Sequence, residues 1–557
     1  MSDGSRWLQS YSGVRAVVGV GPGVSPADEV FAFRHAYCYA VSRLQAHPAK
    51  RARIVLARDP RPTGEALARA QAAGMASACR DFGVELDLMD LGIVTTPVWQ
   101  HSVRLFEAHG GVMVSASHNP LDNNGWKYAT GVQTFAVDPA PPGALLSAAE
   151  MGNLIGAANA FSPQPERSPL APIPDPARRE EAIAKYVQFV SETYYAHAPG
   201  AKVVLDPNGG AACGICERAF GALGVSPIVV NAKTGEPEHE VDVEQVRRDG
   251  THVLDSLAQK VREAGALFGL AYDFDADRGN LTYVDGTGAV QIPSPQQAAA
   301  INAAIALAVH KRSGDPKPAA VVASDATSYR VHQIARAFGA EVFEVETGEI
   351  NVVTQMRDLE ARGYRAVVGV EGPNGGTVFA GTTCRDGTLV GAGALLAAAD
   401  PELRAIISEV LTHDREMGPG ISGFISDLPK QRTFAERQTV PLDWPSLVEK
   451  LDRDFPAAFE KGLRGEWDRF EIVYSYTRYV GPERPRSTGF GWKARVFRGE
   501  APSPHTSSPH TSSSPAEGFL WIRGSKTEQG VLRAVGDGPD ERSARRLLEV
   551  GAALLSG

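Results

Sequence analysis

Three aspartates occupy alternate positions in Asp273-Phe-Asp-Ala-Asp-Arg278, directly after the apolar stretch Leu267–Tyr272. In an extended segment alternate side chains share a face, so Asp273, Asp275 and Asp277 are expected to point together. Three adjacent carboxylates repel one another unless a cation lies between them, and hard oxygen ligands suit Mg²⁺. The segment therefore predicts a magnesium site, with a solvated acidic turn as the alternative.

A serine that could carry a covalent phosphate lies in Val114-Ser-Ala-Ser-His-Asn-Pro120, where a strand is expected to end. Ser117 stands between a small residue and His118, so its hydroxyl can be exposed on the turn. A phosphorylated serine gains a charge of about −1.5 to −2 and requires cations nearby. Lys127 follows within the same region and supplies one. The alternative is a polar turn at a strand end, where Ser, Asn and Pro are common.

Two further polar loops follow later in the chain. Glu371-Gly-Pro-Asn-Gly-Gly376 comes after the apolar stretch Ala366–Val370, and its Glu and Asn side chains can hydrogen-bond sugar hydroxyls. Arg523-Gly-Ser-Lys-Thr-Glu528, with Arg533 beyond it, offers hydroxyls, backbone amides and cations that suit phosphate oxygens. For each loop, a simple polar turn is the alternative.

Together these four motifs resemble the signature loops of the α-D-phosphohexomutase superfamily, which includes phosphoglucomutase, phosphomannomutase and phosphoglucosamine mutase. They occur in the family's order: phosphoserine loop, metal loop, sugar loop and phosphate loop. Ser12-Gly-Val-Arg15 and Arg58-Asp-Pro-Arg-Pro-Thr-Gly64 are similar to two shorter family motifs. The sugar loop departs from the Glu-x-Ser-Gly-His of many relatives, and the phosphate loop departs from Arg-Pro-Ser-Gly-Thr-Glu. These departures leave the identity of the sugar open.

The resemblance implies a role for each matching residue. Phosphorylated Ser117 would pass its phosphoryl group to a hexose 1- or 6-phosphate, with a hexose bisphosphate as intermediate and activator. One Mg²⁺ per chain would be bound by Ser117, Asp273, Asp275 and Asp277. Arg15, Lys127 and Arg278 would offset charge around the transferring group, and either His118 or Lys127 would transfer the proton. The sugar and its second phosphate would be bound by Glu371, Asn374, Arg523, Ser525, Lys526, Thr527 and Arg533.

The expected enzyme is an intramolecular phosphotransferase, an isomerase whose partners are small hexose phosphates. The resemblance favours glucose and mannose phosphates as substrates, because many relatives accept both. Phosphoglucosamine mutase of the same family is an alternative, and so is a catalytically silent paralogue that binds sugar phosphates. A phosphatase that hydrolyses the phosphoserine is a further alternative.

Composition sets limits on function. The chain has 557 residues, 43% of them hydrophobic, and a formal net charge of −9. A chain of this length holds about three to five domains. Because no basic excess is available to neutralise a phosphate backbone, nucleic-acid binding is not expected. The five cysteines do not form a disulfide framework, and Cys213 and Cys216 are expected to share one helical turn.

Short β-rich stretches alternate with Ala/Leu-rich helical stretches, and this alternation predicts α/β units. The first expected elements are the strand Arg53–Asp59, the helix Glu65–Phe82, the strand Val84–Leu91, the helix Pro97–Ala108 and the strand Gly111–Ser115. The pattern restarts at Lys202–Asp206 and again at Ala319–Ser324. The predicted fold class is α/β, with three successive mixed or parallel-sheet α/β domains around a central cleft and a C-terminal α+β domain.

The expected domain ranges are 1–175, 176–292, 293–415 and 416–557. The first range ends in Asp138–Pro176, which is rich in Pro and Ser and is interpreted as a linker or long excursion. The fourth range carries a Ser/Pro insertion near 501–516, in which Pro504–Ser513 is predicted to be disordered.

The sequence favours a cytoplasmic protein without a membrane anchor. The first residues are polar, and the most apolar stretch, Ala298–Val309, is too short to span a bilayer and is expected to form a buried helix. The chain is expected to be a monomer or a homodimer.

Overall fold

The computed structural model describes residues 6–46, 48–132, 141–162, 173–194, 196–243, 246–247, 249–412, 420–439, 443–485, 490–499, 515–524 and 531–556. Within these residues the strands form four sheets, and each sheet is built from one continuous stretch of the sequence. The α/β fold class predicted from the alternation of strands and helices is confirmed.

The first sheet has six strands in the order β1-β2-β6-β5-β3-β4. Its elements are β1 (Leu8–Ser10), β2 (Gly13–Val17), α1 (Pro26–Ala46), β3 (Arg51–Arg58), α2 (Gly64–Asp81), β4 (Glu85–Ile93), α3 (Thr96–Leu105), β5 (Gly110–Val114), β6 (Asn123–Thr130) and α4 (Ala148–Ala160). Strand β3 pairs in parallel with β4 and β5, whereas β6 returns antiparallel to β5 and joins β2.

The second and third sheets repeat this plan on a smaller scale. The second, in the order β11-β10-β9-β7-β8, uses α5 (Pro176–Tyr194), β7 (Lys202–Asp206), α6 (Ile215–Ala222), β8 (Ser226–Val229), α7 (Asp255–Ala264), β9 (Gly269–Tyr272), β10 (Gly279–Val284) and β11 (Val290–Gln291). The third, in the order β13-β12-β14-β15, uses α8 (Pro295–Ser313), β12 (Ala319–Ser324), α9 (Tyr329–Ala337), β13 (Glu341–Val345), α10 (Glu349–Ala361), β14 (Arg365–Glu371) and β15 (Gly376–Phe379). It is followed by α11 (Gly387–Ala399), α12 (Pro401–Thr412) and α13 (Gly420–Asp427).

The fourth sheet is antiparallel throughout, in the order β16-β21-β20-β19-β17-β18. Its elements are β16 (Arg432–Thr439), α14 (Trp444–Gly462), β17 (Arg469–Tyr476), β18 (Tyr479–Gly481), β19 (Gly491–Phe497), β20 (Gly518–Gly524), β21 (Val531–Gly538) and α15 (Glu541–Ser556). Helices α14 and α15 pack together beside it, and α15 also packs on β20 and β21.

One apolar core joins the first three sheets, while the fourth has a core of its own. The shared core includes Met113 on β5, Leu270 on β9 and Val370 on β14, all fully buried. The fourth sheet buries Trp492 and Leu520 against its helices. A smaller apolar cluster joins the fourth sheet to the third, through Tyr329 on α9 and Phe519, Trp521 and Val535 on β20 and β21.

The sequence locates most elements to within a few residues. Strands β7 and β12 coincide with the predicted stretches, and the expected buried helix Ala298–Val309 lies inside α8, whose middle turns are fully buried. The prediction that Cys213 and Cys216 share one helical turn is wrong in part. Cys216 lies in α6, but Cys213 precedes Gly214, which is the N-cap residue of that helix. No helix within the described ranges is both long and apolar enough to cross a membrane.

The interpretation of Asp138–Pro176 as a linker is wrong over its middle part, because helix α4 forms there. The Ser147 hydroxyl accepts from the Glu150 backbone N–H, and the Glu150 carboxylate accepts from the Ser147 backbone N–H, which completes a capping box. Met151 and Leu154 are buried on the face of α4 that packs against α1. The local cap and the apolar spacing outweigh the Pro/Ser composition of the flanking residues.

The domain ranges stay a proposal. Each sheet falls inside one of the four expected ranges, but α13 lies beyond residue 415 and packs against α11 and α12. We therefore propose moving the last boundary to the C-terminal side of α13. Pro504–Ser513, predicted to be disordered, lies outside the described residues.

Candidate active site

Each of the first three sheets places one polar loop in the same way. A strand that pairs in parallel with its neighbour, namely β5, β9 or β14, ends in a tight turn, and the next strand returns antiparallel to it. The turns lie at the carboxyl ends of these strands, where ligands bind in open α/β sheets. The first two turns carry Ser117 and the three aspartates, and Glu371 ends β14 directly before the third turn.

Ser117 lies in the turn between β5 and β6 with φ +52°, a left-handed conformation that is uncommon for a residue with a side chain. Its side chain is buried, and its Oγ donates a hydrogen bond to Asp273 Oδ2 at 2.9 Å. Its backbone N–H donates to Ser115 Oγ at 2.8 Å. Residues in such backbone conformations cluster at functional sites, where the surrounding structure holds them in place.

Arg61 holds this turn, although sequence reasoning gave it no role. Its fully buried guanidinium pairs with Asp59 at 3.2 Å. It also donates to four backbone carbonyl oxygens at 2.6 to 2.8 Å, those of Ser117, Asn119, Pro120 and Asn123. The match of residues 58–64 to a family motif was the available signal, but it did not reveal the partners of the arginine.

The three aspartates lie in the turn between β9 and β10, not in an extended segment as predicted. Ala276 has φ +60°, so the chain curls back on itself between Asp275 and Asp277. Asp273, Asp275 and Asp277 are all buried, and one oxygen of each lies within 4.8 Å of one oxygen of the other two. The predicted convergence is therefore present, but a turn produces it instead of strand alternation.

Both carboxylate oxygens of Asp273 accept hydrogen bonds, from the Ser117 hydroxyl and the Arg278 backbone N–H, whereas only Oδ2 is occupied by described residues in the other two aspartates. Asp275 Oδ2 accepts from Lys127 Nζ at 2.7 Å and from Thr96 Oγ1 at 2.8 Å, and Asp277 Oδ2 lies 3.2 Å from the same ammonium. Within the described part of the chain, Oδ1 of Asp275 and Oδ1 of Asp277 are buried without a hydrogen-bond partner. Buried carboxylate oxygens require a partner, so the donor set fits a hard divalent cation.

The charge balance of the triad supports this fit. Burial raises the pKa of Asp273 well above its usual value, and the nearby carboxylates of Asp277 and Asp275 raise it further. The pKa of Asp277 is low despite the opposing effect of burial, because Arg385, Lys127 and Arg278 stabilise its charged form. A cation beside the triad would relieve the repulsion that Asp273 feels.

His118 and Lys127 differ in protonation. Burial lowers the pKa of His118 well below its usual value, and the guanidinium groups of Arg278 and Arg15 lower it further. Arg278 Nη2 lies 3.1 Å from His118 Nδ1 and must be the donor, since a guanidinium cannot accept. Burial acts to lower the pKa of Lys127, but Asp275 and Asp277 more than offset it and raise the pKa, so Lys127 is charged.

The sugar loop brings Glu371 and Asn374 together. Glu371 ends β14 and is buried, and Asn374 Nδ2 donates to Glu371 Oε2 at 3.4 Å. Gly376 makes room for a neighbouring side chain, because a Cβ atom at this position would lie 2.2 Å from Arg385 Cδ.

Arg385 is the second residue that sequence reasoning missed. It forms ion pairs with Asp277 at 2.6 Å, with Glu371 at 3.1 Å and with Glu349 at 3.2 Å. The three carboxylates come from the metal loop, the sugar loop and the start of α10. The only signal in the sequence was a lone arginine in a segment of small residues, 108 residues away from Asp277.

The phosphate loop is described in part. Arg523 pairs with Glu346 at 2.7 Å and donates to the carbonyl oxygen of Thr347 at 3.3 Å. Arg533 lies opposite Arg523 on the adjacent strand β21. Ser525, Lys526 and Thr527, expected to bind phosphate, lie outside the described residues.

The loops border one cleft of about 420 Å³. Its lining includes candidate residues from every sheet: Arg15, His118, Lys127, Arg278, Glu349, Glu371, Asn374, Arg385, Arg523 and Arg533. Ser117 and the three aspartates are buried next to the His118, Lys127 and Arg278 side of this cleft. The arrangement combines a candidate nucleophile and a candidate cation site on one side with arginines on the other.

Two stretches of the chain match a known protein family. Residues 8–136 match the family model described as phosphoglucomutase/phosphomannomutase, alpha/beta/alpha domain I, and residues 298–413 match domain III of the same family. A phosphoglucosamine mutase from Nocardia farcinica is 33% identical over 360 residues, which cover 61% of this chain and 70% of that protein. A phosphoglucosamine mutase from an Arthrobacter species is 30% identical over 385 residues, covering 68% and 75%.

Two solved structures share the fold. A phosphoglucomutase/phosphomannomutase family protein from Burkholderia thailandensis superposes with a TM-score of 0.65 at 20% identity, covering 100% of this chain and 98% of that one. The Paramecium phosphoglucomutase parafusin gives a TM-score of 0.64 at 15% identity, covering 98% and 94%. The likeness therefore extends over all four sheets.

Proposed function

The chain belongs to the phosphoglucomutase/phosphomannomutase family of the α-D-phosphohexomutase superfamily and is a mutase, and from this premise we propose that it moves phosphate between the two ends of a hexose phosphate through Ser117. The observation that carries the proposal is the buried hydrogen bond of 2.9 Å from Ser117 Oγ to Asp273, at the edge of the shared cleft. A serine on a turn held by its surroundings, beside a candidate cation site, suits phosphoryl transfer.

The proposed reaction has two transfers. In the first, the bond between phosphorus and Ser117 Oγ breaks as a free sugar hydroxyl bonds to the phosphorus, and the proton of that hydroxyl leaves to a group of the enzyme. The resulting bisphosphorylated sugar turns within the cleft. In the second transfer, Ser117 Oγ takes the other phosphoryl group, and a proton returns to the sugar oxygen that is released.

The charged residues of the cleft would carry most of the catalysis, because phosphoryl transfer depends mainly on positioning and on stabilising spread negative charge. Lys127, Arg278 and Arg15 would offset the charge of the transferring group. His118 and Lys127 both stay candidates for proton transfer. His118 is neutral and can accept a proton from the sugar hydroxyl. Lys127 is charged and can donate a proton to the sugar oxygen that is released.

Asp273, Asp275 and Asp277 would hold Mg²⁺, as the two buried carboxylate oxygens that lack a partner among the described residues suggest. When bound, the ion would supply positive charge to a phosphoserine oxygen and make the phosphorus more electrophilic. On the opposite side, Arg523 and Arg533 would hold the phosphate that is not transferred, and Glu371 with Asn374 would bind the sugar hydroxyls.

We propose glucosamine phosphate as the first substrate to test, ahead of the glucose and mannose phosphates that the motifs favoured. The support is the named activity of the similar curated proteins, which are phosphoglucosamine mutases. The sugar loop, which departs from Glu-x-Ser-Gly-His, is compatible with either choice.

The test combines mass measurement with a substrate panel. The purified protein, incubated with a trace of hexose bisphosphate, should gain a phosphate-sized mass increment that Ser117→Ala lacks and that Ser313→Ala, an exposed serine at the end of α8, retains. The panel of glucosamine, glucose and mannose 6-phosphates should yield the corresponding 1-phosphates.

Three outcomes would count against the proposal. A phosphate retained in Ser117→Ala would reassign the nucleophile. Release of inorganic phosphate without isomerised sugar would favour a phosphatase, and sugar-phosphate binding without turnover would favour a silent paralogue. The burial of Ser117, which keeps bulk water from the reacting phosphorus, speaks against the phosphatase.

A further inference from the structure

Thr96 joins the first sheet to the aspartate turn of the second. It is the first residue of α3, which follows β4 of the first sheet, whereas Asp275 lies in the turn between β9 and β10. The Thr96 hydroxyl donates to Asp275 Oδ2 at 2.8 Å, and the Thr96 backbone N–H donates to the Asp275 carbonyl oxygen at 2.9 Å. One residue therefore holds both the main chain and the side chain of a candidate cation ligand.

The start of α3 is itself held in place. Thr95 is the N-cap residue, and its hydroxyl accepts the backbone N–H of Val98 at 3.2 Å. Pro97 follows in the first turn, where its fixed φ suits a helix. The side chains of Thr95, Thr96 and Val98 are buried. A capped and buried helix end, instead of a loop, thus presents the Thr96 hydroxyl to Asp275.

The donors around Asp275 leave one of its carboxylate oxygens for a ligand. Oδ2 accepts from Thr96, from Ser115 at 3.1 Å and from Lys127 at 2.7 Å. Because a carboxylate oxygen has two lone pairs, three donors use its capacity fully. Oδ1 is buried and has no hydrogen-bond partner within the described ranges. Oδ1 is therefore the oxygen that this arrangement leaves for a cation.

Lys127 makes the orientation of this carboxylate important. Its ammonium lies 2.7 Å from Asp275 Oδ2 and 3.2 Å from Asp277 Oδ2, so a positive charge already stands beside two of the candidate ligands. An Asp275 carboxylate that rotated would offer Oδ1 to the same ammonium, which would then compete with a divalent cation for this oxygen. The Thr96 hydroxyl carries no charge, and its hydrogen bond to Oδ2 opposes that rotation.

We propose that Thr96 is a positioning residue for Mg²⁺: its hydroxyl fixes the Asp275 carboxylate so that Oδ1 stays available to the ion, and it thereby sets the cation affinity of the site. Hydrogen bonds that orient metal ligands commonly contribute strongly to metal affinity. Since Thr96 belongs to the sheet that carries Ser117, the affinity also depends on how that sheet docks against the aspartate turn. The inference rests on the proposed mutase function, in which the aspartates hold Mg²⁺, and adds a residue outside the ligand set.

The experiment measures Mg²⁺ binding by calorimetry on the full chain, stripped of metal with a chelator and without substrate. Thr96→Val removes the hydroxyl and keeps the shape of the side chain, whereas Thr96→Ser keeps the hydroxyl. Thr193→Val is the matched control, because the partly buried Thr193 hydroxyl donates to the Phe189 carbonyl oxygen within α5. Thermal unfolding of every variant measures stability separately.

The expected result is a dissociation constant for Mg²⁺ that rises by about 10- to 100-fold in Thr96→Val and stays close to the wild-type value in Thr96→Ser and Thr193→Val. Calorimetry gives the stoichiometry separately from the dissociation constant, so a partly unfolded preparation lowers only the stoichiometry. Should the valine variant not fold, Thr96→Ala removes the same hydroxyl and should change the dissociation constant in the same direction.

Two results would overturn the inference while leaving the mutase proposal intact. One is a Thr96→Val variant that binds Mg²⁺ as tightly as the wild type, whatever its thermal stability, which would make Thr96 only a contact between the two sheets. The other is an equal weakening in Thr96→Ser, which would show that the hydroxyl is not responsible. A wild type that binds no Mg²⁺ would instead overturn the cation site on which the proposed function depends, and this inference with it.

Discussion

Asp275 connects the candidate cation site to the phosphoserine loop. Its Oδ2 accepts from Lys127, Thr96 and Ser115, while its Oδ1 lacks a partner among the described residues. Replacement by Asn keeps the size of the side chain but removes its charge, and it presents an amide N–H₂ where a carboxylate oxygen stood. The variant therefore tests the charge of the site with little change in packing.

We expect Asp275→Asn to lower Mg²⁺-dependent turnover by about 100-fold or more, the scale seen when one preorganised electrostatic contact to a transition state is lost. The measurement is kcat against Mg²⁺ concentration, with Asp285→Asn, a partly exposed aspartate directly after β10, as the control. Wild-type activity in Asp275→Asn would rule out the triad as the cation site.

The candidate functional residues differ in how well the sequence predicts them. Ser117 and the three aspartates stand in compact motifs whose residue types indicate their chemistry. Arg385 and Arg61 do not, because their roles depend on partners brought together by the fold, 108 residues apart in the case of Asp277. A buried arginine is recognisable only once its carboxylate and carbonyl partners are known.

At the scale of elements, the loop after β5 depends on Arg61 as much as on its own residues. The guanidinium donates to four backbone carbonyl oxygens of the loop, which no other side chain shape could match at once. Lysine would retain the charge but offers one compact ammonium in place of the planar fork.

We expect Arg61→Lys to lower the free energy of unfolding by about 2 kcal/mol or more, since buried carbonyl oxygens lose their donors. Phosphorylation of Ser117 should slow as well, because the turn that presents its Oγ loosens. Thermal unfolding and the rate of phosphate incorporation measure the two effects. Arg69→Lys on the exposed face of α2 is the control and should change neither. Unchanged phosphorylation would show that Arg61 stabilises the fold without shaping the site.

The alternation of strands and helices made the first three sheets predictable, whereas α4 was missed because composition was averaged over a long segment. The capping box of Ser147 and Glu150 is a local helix-start signal, and the average composition of the whole segment does not reveal it. The aspartates show the opposite case. The sequence predicted an extended strand and the structure has a turn, but both bring the carboxylates of Asp273, Asp275 and Asp277 together.

At the scale of the whole molecule, the fourth sheet docks on the third through buried charges. Glu344 on β13 pairs with Lys493 at 2.8 Å, and with Arg495, both on β19. The Lys493 ammonium also lies over the rings of Tyr329 and Phe519. The cleft needs residues from both sheets, so this contact positions Arg523 and Arg533 relative to the sugar loop.

We expect Glu344→Gln to destabilise the docking by about 3 kcal/mol, because it leaves buried cations without their counterion. Lys493 and Arg495 hold the pKa of Glu344 well below its usual value against the effect of burial. The stabilisation is therefore complete above about pH 4.5 and is lost as the pH falls further, towards the lower pKa of the folded state.

Calorimetric unfolding at several pH values measures this effect, with Glu471→Gln as the control, since Glu471 is half-exposed and lies 3.7 Å from Arg495. The difference between wild type and Glu344→Gln should shrink below about pH 4.5. A difference that stays constant across this range would show that the charge of Glu344 is not what holds the two sheets together.

The ion pairs that Arg385 forms with two loops of the cleft have one more consequence. Its guanidinium contacts Asp277 and Glu371 at the same time. A ligand that binds one of these carboxylates therefore changes the ion pair that Arg385 forms with the other. Thermodynamic reciprocity then makes the influence of sugar on cation affinity equal to the influence of cation on sugar affinity. Titrating the cation with and without the sugar, and the sugar with and without the cation, should therefore give the same coupling free energy.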